Sequence, residues 1–463
     1  FLSLFFHHIP YIADKRGLGS SFFVHDFSFM YTRHHSVIYH KYAKTDNVNT
    51  PTVCKQCRRY GLANTILNRN GLTLDPKQLQ PTGEPLAFDP KKEDFDRLFI
   101  HHFIETGATE PPNPQQFNSY VAHFSDNPDA LIASDEDRAF HLMAQAVEKI
   151  DYLLPTVNES EGKPLVLDGQ KLLERACELD PHCFDALRMH QAMACTALED
   201  HFQYLVEQEE EVHQICIEKG ASAAKGVSEE FAEAVVELAM RPYYRWLAAL
   251  ATRALISGRN KAAISYGQKL FSLDPTDFGD IRFTLALAYA KLEDADGLAK
   301  LEKQYATVFP PRPPDDAWMM LARMALAFKT NNRECANDLL DKLLARYKTG
   351  ALTLFIQRDL PEGEYARLNV EPYSEDELIL AVSEAAVLLQ EGNDFTGRGI
   401  FGRWLGSEIE RRYPARIKDF HADFLHTMDD LRDITDFGEG FDFGEGFDFG
   451  DSLTFGEGGG DLS

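Results

Sequence analysis

A helix breaker returns to this chain about every 34 residues, and between breakers the sequence favours helix. Asp274-Pro275 ends one such stretch, Pro310 follows Pro275 by 35 residues, and ACELDP closes an earlier half-copy at Pro181. Proline cannot donate the next helical hydrogen bond and disfavours helix in the residue before it. Gly258 supplies the other kind of stop, because glycine tolerates the left-handed geometry of a helix C-terminus. A unit of this length with two stops predicts an antiparallel helix pair that buries its apolar face against the next pair.

The residues between the stops fit that expectation. Ala248, Leu250, Ala251 and Ala254 give a first helix a small, apolar face, and Lys261–Leu273 forms the second, with Ala263 at the crossing. Ala286 and Tyr289 open the next pair, whose crossing the spacing assigns to Leu298 and Ala299. A third begins at Trp318 with Leu321, Ala322 and Ala325, and its second helix, 332–347, carries Ala336 and Leu339. Upstream, Phe140, Met143, Val147 and Ile150 form the stripe of an amphipathic helix. Strand signatures almost vanish from Asp135 to about Phe424, while Ala, Leu and Glu dominate. The fold class is all-α.

This pattern resembles the tetratricopeptide repeat, whose copies carry W-x2-L-G-x2-Y, then A-x3-F, then Pro. A closer likeness joins several stretches in order. Arg241, Pro242 and Tyr243 precede a helix, and Asp274, Pro275, Asp277, Ile281 and Arg282 lead into a later one. SEDELILAVSEAAVLL follows downstream. The order is similar to that of a tetratricopeptide-like family related to suppressor of tumorigenicity 7, with Asp274 in place of Asn and Asp280 in place of Gly. The resemblance covers about residues 168–392 and implies a helical-hairpin solenoid. It brings no defined activity.

Three regions are expected. Residues 1–84 read as irregular, with a basic, His-rich and aromatic opening of about 60 residues that begins with Phe and lacks regular periodicity. We expect that opening to be a fragment edge or an over-extended reading frame. Residues 85–432 hold the repeat domain, with a helical candidate at Asp94–Thr106 before the main array. Residues 433–463 contain DFGEGFDFGEGFDFG, a six-residue repeat of glycine, acid and Phe that is expected to be disordered.

Acidic residues outnumber basic ones 73 to 47, a formal net charge of −26. That argues against nucleic acid, whose phosphates need Lys and Arg, and against anionic membrane surfaces. No apolar run approaches the ~18 residues of a spanning helix. The seven cysteines are scattered as in a reducing compartment, so a cytoplasmic location is expected. Cys54 and Cys57 form a lone CxxC with no second pair to complete a zinc site.

Chemistry-bearing motifs are sparse. The chain holds no phosphate-binding G-x4-G-K-[ST] and no G-x-S-x-G nucleophile elbow. Glu210 and His213 make an E-x-x-H on a helix with His201 upstream. A helical di-iron site needs two such motifs and two further Glu, so a solvated acidic face is the expected reading. We therefore expect a non-enzymatic scaffold without metal or cofactor that holds a protein or peptide in its concave face. Its contacts are expected at Tyr243, Tyr244, Trp246, Arg282, Tyr289 and Trp318. The alternative is a metal-dependent or hydrolytic enzyme on a helical array. A third reading lets the acidic tail occupy the chain's own groove.

Overall fold

Asp89 caps the first helix: its carboxylate accepts the backbone N–H of Lys91 at 3.0 Å, and Pro90 fills the first helical position. The computed structural model describes residues 89–422, apart from 108–113, 155–158, 196, 278, 309–312, 349, 358–366, 368–369, 371 and 394–396. The expectations for residues 1–84, for Cys54 and Cys57 and for the 433–463 tail lie outside the described residues. Among the described residues every regular element is helical. They fall into two compact units divided between Arg412 and Tyr413; the second contributes one described helix, 414–422.

The first unit opens with α1 (Pro90–Glu105) and α2 (Pro114–Asp126). Phe95, Phe99 and Phe103 recur at four-residue spacing on α1 and meet Phe117 and Tyr120 of α2. The edge-to-face geometry, such as 5.4 Å and 71° between Phe95 and Tyr120, is the arrangement that aromatic quadrupoles favour. Helices α3 (Asp135–Val147), α4 (Glu159–Leu179) and α5 (Phe184–Ala194) follow. Phe140, Met143 and Val147 are buried as their spacing predicts, against Leu173 and Ala176 of α4 and Met189 of α5.

The long helices α6 (Leu198–Ala223) and α7 (Glu229–Ile256) pack along each other, and α7 then meets α8 (Asn260–Leu273). Gly258 takes φ +75° at the α7–α8 turn, the left-handed conformation expected of it. Helices α9 (Ile281–Lys291) and α10 (Ala295–Gln304) form the next pair, and α11 (Ala317–Lys329) and α12 (Arg333–Arg346) the one after. The first helices pack on one another in turn, α7 on α9 and α9 on α11. Ala263 is buried at the α7–α8 crossing.

Two local expectations are corrected. Ala299 is exposed, and the close approach of α10 to α9 falls on Gly297, where an added Cβ would sit 2.4 Å from the Tyr289 ring. Pro242 does not open a helix; it lies inside α7, which starts at Glu229. A proline there leaves the carbonyl four residues earlier without its N–H. That carbonyl belongs to Leu238, and the Arg97 guanidinium of α1 donates to it at 2.8 Å. The break is repaired by another element.

After α12 come α13 (Ala351–Ile356), α14 (Glu375–Glu384), α15 (Ala386–Leu389) and α16 (Ile400–Arg412). Helix α14 packs on α11, α15 on α9, and α16 on α13, α11 and α15. Every residue of α9 from Ile281 to Ala290 is consequently buried, as is most of α11. The face of the first helices that a concave groove would expose is covered by the chain itself.

Candidate functional site

The residues expected to meet a partner sit on α7, α9 and α11, and most point inward. Tyr243, Trp246, Arg282, Tyr289 and Trp318 are buried; Tyr244 is half-buried. Their polar atoms engage other helices of the chain. Trp246 donates from Nε1 to the Leu205 carbonyl of α6 at 2.9 Å, and Trp318 donates to Glu384 of α14 at 2.7 Å. Gln268 donates to the Tyr289 hydroxyl at 2.6 Å. These side chains join helices in this structure rather than line an open surface.

Arg282 and Trp318 belong to one assembly under α14. Asp277 and Asp280 both adopt left-handed backbone, φ +55° and +54°, a region that Asp enters more readily than most residues. Asp277 accepts the Ile281 N–H at 2.8 Å and the Arg282 guanidinium at 2.8 Å, so it starts α9 and holds its first cation. Asp280 completes the pair at 2.9 Å. Burial raises Asp277, although Arg282 opposes that. The Phe283 and Trp318 rings stack at 4.0 Å, and Arg367 lies over both while its guanidinium clamps Glu384 at 2.6 and 3.0 Å. Glu377 is fully buried and accepts from Ala317 N at 3.1 Å, the Tyr347 hydroxyl at 2.5 Å and Tyr373 N at 2.6 Å. Two glutamates seven residues apart on α14 therefore bolt it to α11.

The E-x-x-H motif does not gather ligands. His213 stacks on Tyr243 at 4.2 Å and 18°, and Glu210 is exposed. The neighbouring Glu209, one residue earlier, is the engaged acid: it accepts from Tyr243 at 2.5 Å and from Lys269 of α8 at 2.7 Å. Burial and this carboxylate push the Tyr243 phenol upward. His201 is buried; burial first, then Arg253 and Arg188, push it down to about 4, so it is neutral. Among the described residues no three His, Cys, Asp or Glu side chains are gathered as a metal would need. The half-buried Cys177 and buried Cys216 thiols are not activated either: desolvation pushes both up to about 11.

The densest ionic cluster escaped the sequence reading. Helix α1, for which the sequence predicts only a helical candidate at Asp94–Thr106, places Glu93, Asp94 and Asp96 in a single turn, all buried. Arg245 of α7 reaches Glu93 at 2.7 and 3.2 Å and Asp185 of α5 at 2.7 and 2.6 Å. Burial alone would raise Glu93, but Arg245, Arg97 and Arg241 hold it below its usual range. Asp185, equally desolvated, is drawn down to about 2 by Arg245 and Arg188. Asp94 meets His141 of α3, and Asp137 of α3 meets His101 of α1, both at 2.7 Å. The visible signal was Arg241 and Arg245, one turn apart inside an apolar helix. Such cations need buried acids.

A shallow cleft of about 250 Å³ lies on α11 and α12, lined by Arg323, Asn332, Glu334, Cys335, Asp338 and Lys342. Its mixed charge and small size make a poor match for a small-molecule site, which is normally larger and mostly apolar. No described helix is long and apolar enough to cross a membrane. Comparison with protein-family models, with curated proteins and with solved structures finds no match in any of the three.

Proposed function

We propose that this chain is a non-enzymatic interaction scaffold of the tetratricopeptide-like solenoid class, built to hold a protein or peptide. The observation that carries the reading is the packing order of residues 229–346. Three consecutive helix pairs follow one another, and each first helix packs on the next. An array of this kind offers extended faces of constant geometry, a use to which such folds are repeatedly put.

The covered face of α9 and α11 moves the expected contact elsewhere. The partner-facing surface we assign is the half-exposed group across α6, α7 and α8, where His213, Tyr244, Tyr266 and Lys269 lie. It combines aromatic rings with an amphipathic cation, side chains that favour protein contacts. Of the residues expected from the sequence, Tyr244 is the one kept in this role.

The test is affinity capture from lysate with the full chain, beside a Tyr266→Ala/Lys269→Glu variant and a chain ending at residue 432. One partner recovered near stoichiometry by the full chain and lost by the double variant supports the scaffold and its surface. Greater recovery with the shortened chain gives the acidic tail the competing role. No stoichiometric partner with any bait, across several salt concentrations, overturns the reading.

A further inference from the structure

The buried ionic cluster between α1, α3, α5 and α7 is short of positive charge. Among the described residues six carboxylates meet there: Glu93, Asp94 and Asp96 from α1, Asp137 from α3, Asp185 from α5 and, at the half-exposed edge, Glu237 from α7. Four guanidiniums face them, Arg97, Arg188, Arg241 and Arg245. Six minus four leaves two acids that no arginine balances. Each histidine at the seam, His101 and His141, pairs with one carboxylate. A protonated His141 supplies such a balancing charge to Asp94.

Asp96 is the weakest point. It is 1% exposed, and neither carboxylate oxygen receives a hydrogen bond. Arg241 comes no closer than 4.0 Å, and that guanidinium already holds Glu237 at 2.8 Å and faces Glu93 at 3.7 Å. Lys92 of α1, half-buried, adds attraction through space, while Glu93 and Glu237 add repulsion. The Tyr120 hydroxyl of α2 also faces Asp94, Asp96 and Asp137, and the Cys183 and Cys216 thiols face Asp185; burial raises all three, so they stay protonated. Around His141, Asp129 and Arg138 act in opposite directions. An ionised, unbonded carboxylate in such a place is costly, and a neutral one is less so.

We propose that docking of α1 is linked to proton uptake by Asp96 and the His141–Asp94 pair, so that α1 is held more tightly at mildly acidic pH than at alkaline pH. The direction of each group agrees. Burial, only partly offset by Arg241, pushes Asp96 up to about 7. For His141, burial works downward, but Asp94 outweighs it and the imidazole is raised. Both folded values exceed the unfolded ones, so their stabilisation is present at acid pH and is lost as pH rises through the folded values.

Hydrogen exchange on the full chain at pH 6 and pH 8, corrected for the intrinsic rate, reads this directly. Protection of peptides covering 90–105 should fall roughly tenfold or more between the two values, about a factor of ten per proton released per pH unit. Peptides covering 317–329 should not follow. Asp96→Asn, which stays neutral, should raise α1 protection at pH 8 and flatten most of the dependence; His141→Gln should flatten part of it. Equal wild-type protection at both pH values, a parallel fall in 317–329, or an unchanged slope in Asp96→Asn each overturns the proposal.

Discussion

Arg245→Met isolates what the buried network contributes. Methionine keeps much of the arginine stem's volume and removes the charge and four hydrogen bonds, two to Asp185 and two to Glu93. Both carboxylates are 1% exposed, so water cannot replace the guanidinium. Removing one partner of a buried pair costs about 3–5 kcal/mol, because a charge is stranded. Here the loss belongs at the lower end. Asp185 keeps Arg188 at 3.0 Å, and Glu93 keeps Arg97 at 2.9 Å. Urea unfolding at pH 7, followed by helical circular dichroism, should show a midpoint lowered by about 1 M for an m of about 3 kcal/mol/M. The triple variant Glu93→Gln/Asp185→Asn/Arg245→Met removes both acids that lose the guanidinium, at the cost of one carboxylate partner each for Arg97 and Arg188, and should recover only a small part of the loss. A cost below about 1 kcal/mol for Arg245→Met would refute the view of these acids as dependent on Arg245.

The remaining expectations use the same assay. Glu377→Ala removes the acceptor of three donors in a fully buried site and should cost about 3 kcal/mol; Glu377→Gln, which keeps the size and one carbonyl, should cost less. Gly297→Ala drives a methyl into the Tyr289 ring, 2.4 Å from the built Cβ, and should destabilise by about 1–3 kcal/mol despite alanine's better helix propensity. Asp185 is lowered to about 2, so its stabilisation is present above the usual carboxylate range and is lost as pH falls toward 2. It should amount to about 2 kcal/mol, and an acid titration of Asp185→Asn should lack that component.

Much of the helical framework was legible because periodicity and stops are local signals. Gly258 and Asp274-Pro275 bound α7 and α8 within a residue or two of their sequence positions, and the buried stripe on α3 follows from spacing alone. Pro242 misled because the hydrogen bond a proline removes locally can be replaced by a donor distant in sequence, here Arg97. The burial of the expected contact residues was hidden for a related reason. Large aromatic and charged residues on first helices suit a groove, yet nothing in Trp318 tells that Glu384 of α14 will meet it, or in Tyr289 that Gly297 of α10 will pack on its ring. Buried acids were hidden most thoroughly. Nothing local to Glu93 and Asp96 tells that the arginines of α7 will be placed beside them.

The repaired carbonyl of Leu238 also sets an order of events during synthesis. Arg97 leaves the ribosome 141 residues before the group it must satisfy. At ordinary elongation rates of about 5–20 residues per second, α1 waits roughly 7–30 s for α7. His141 arrives 47 residues after Asp94 and gives an earlier, partial hold. Until α7 follows, Phe95, Leu98 and Phe99 lack part of their cover, and α7 cannot seal its proline break by itself. Each helix is thus unfinished without the other, and the nascent chain's most vulnerable interval is written into that separation.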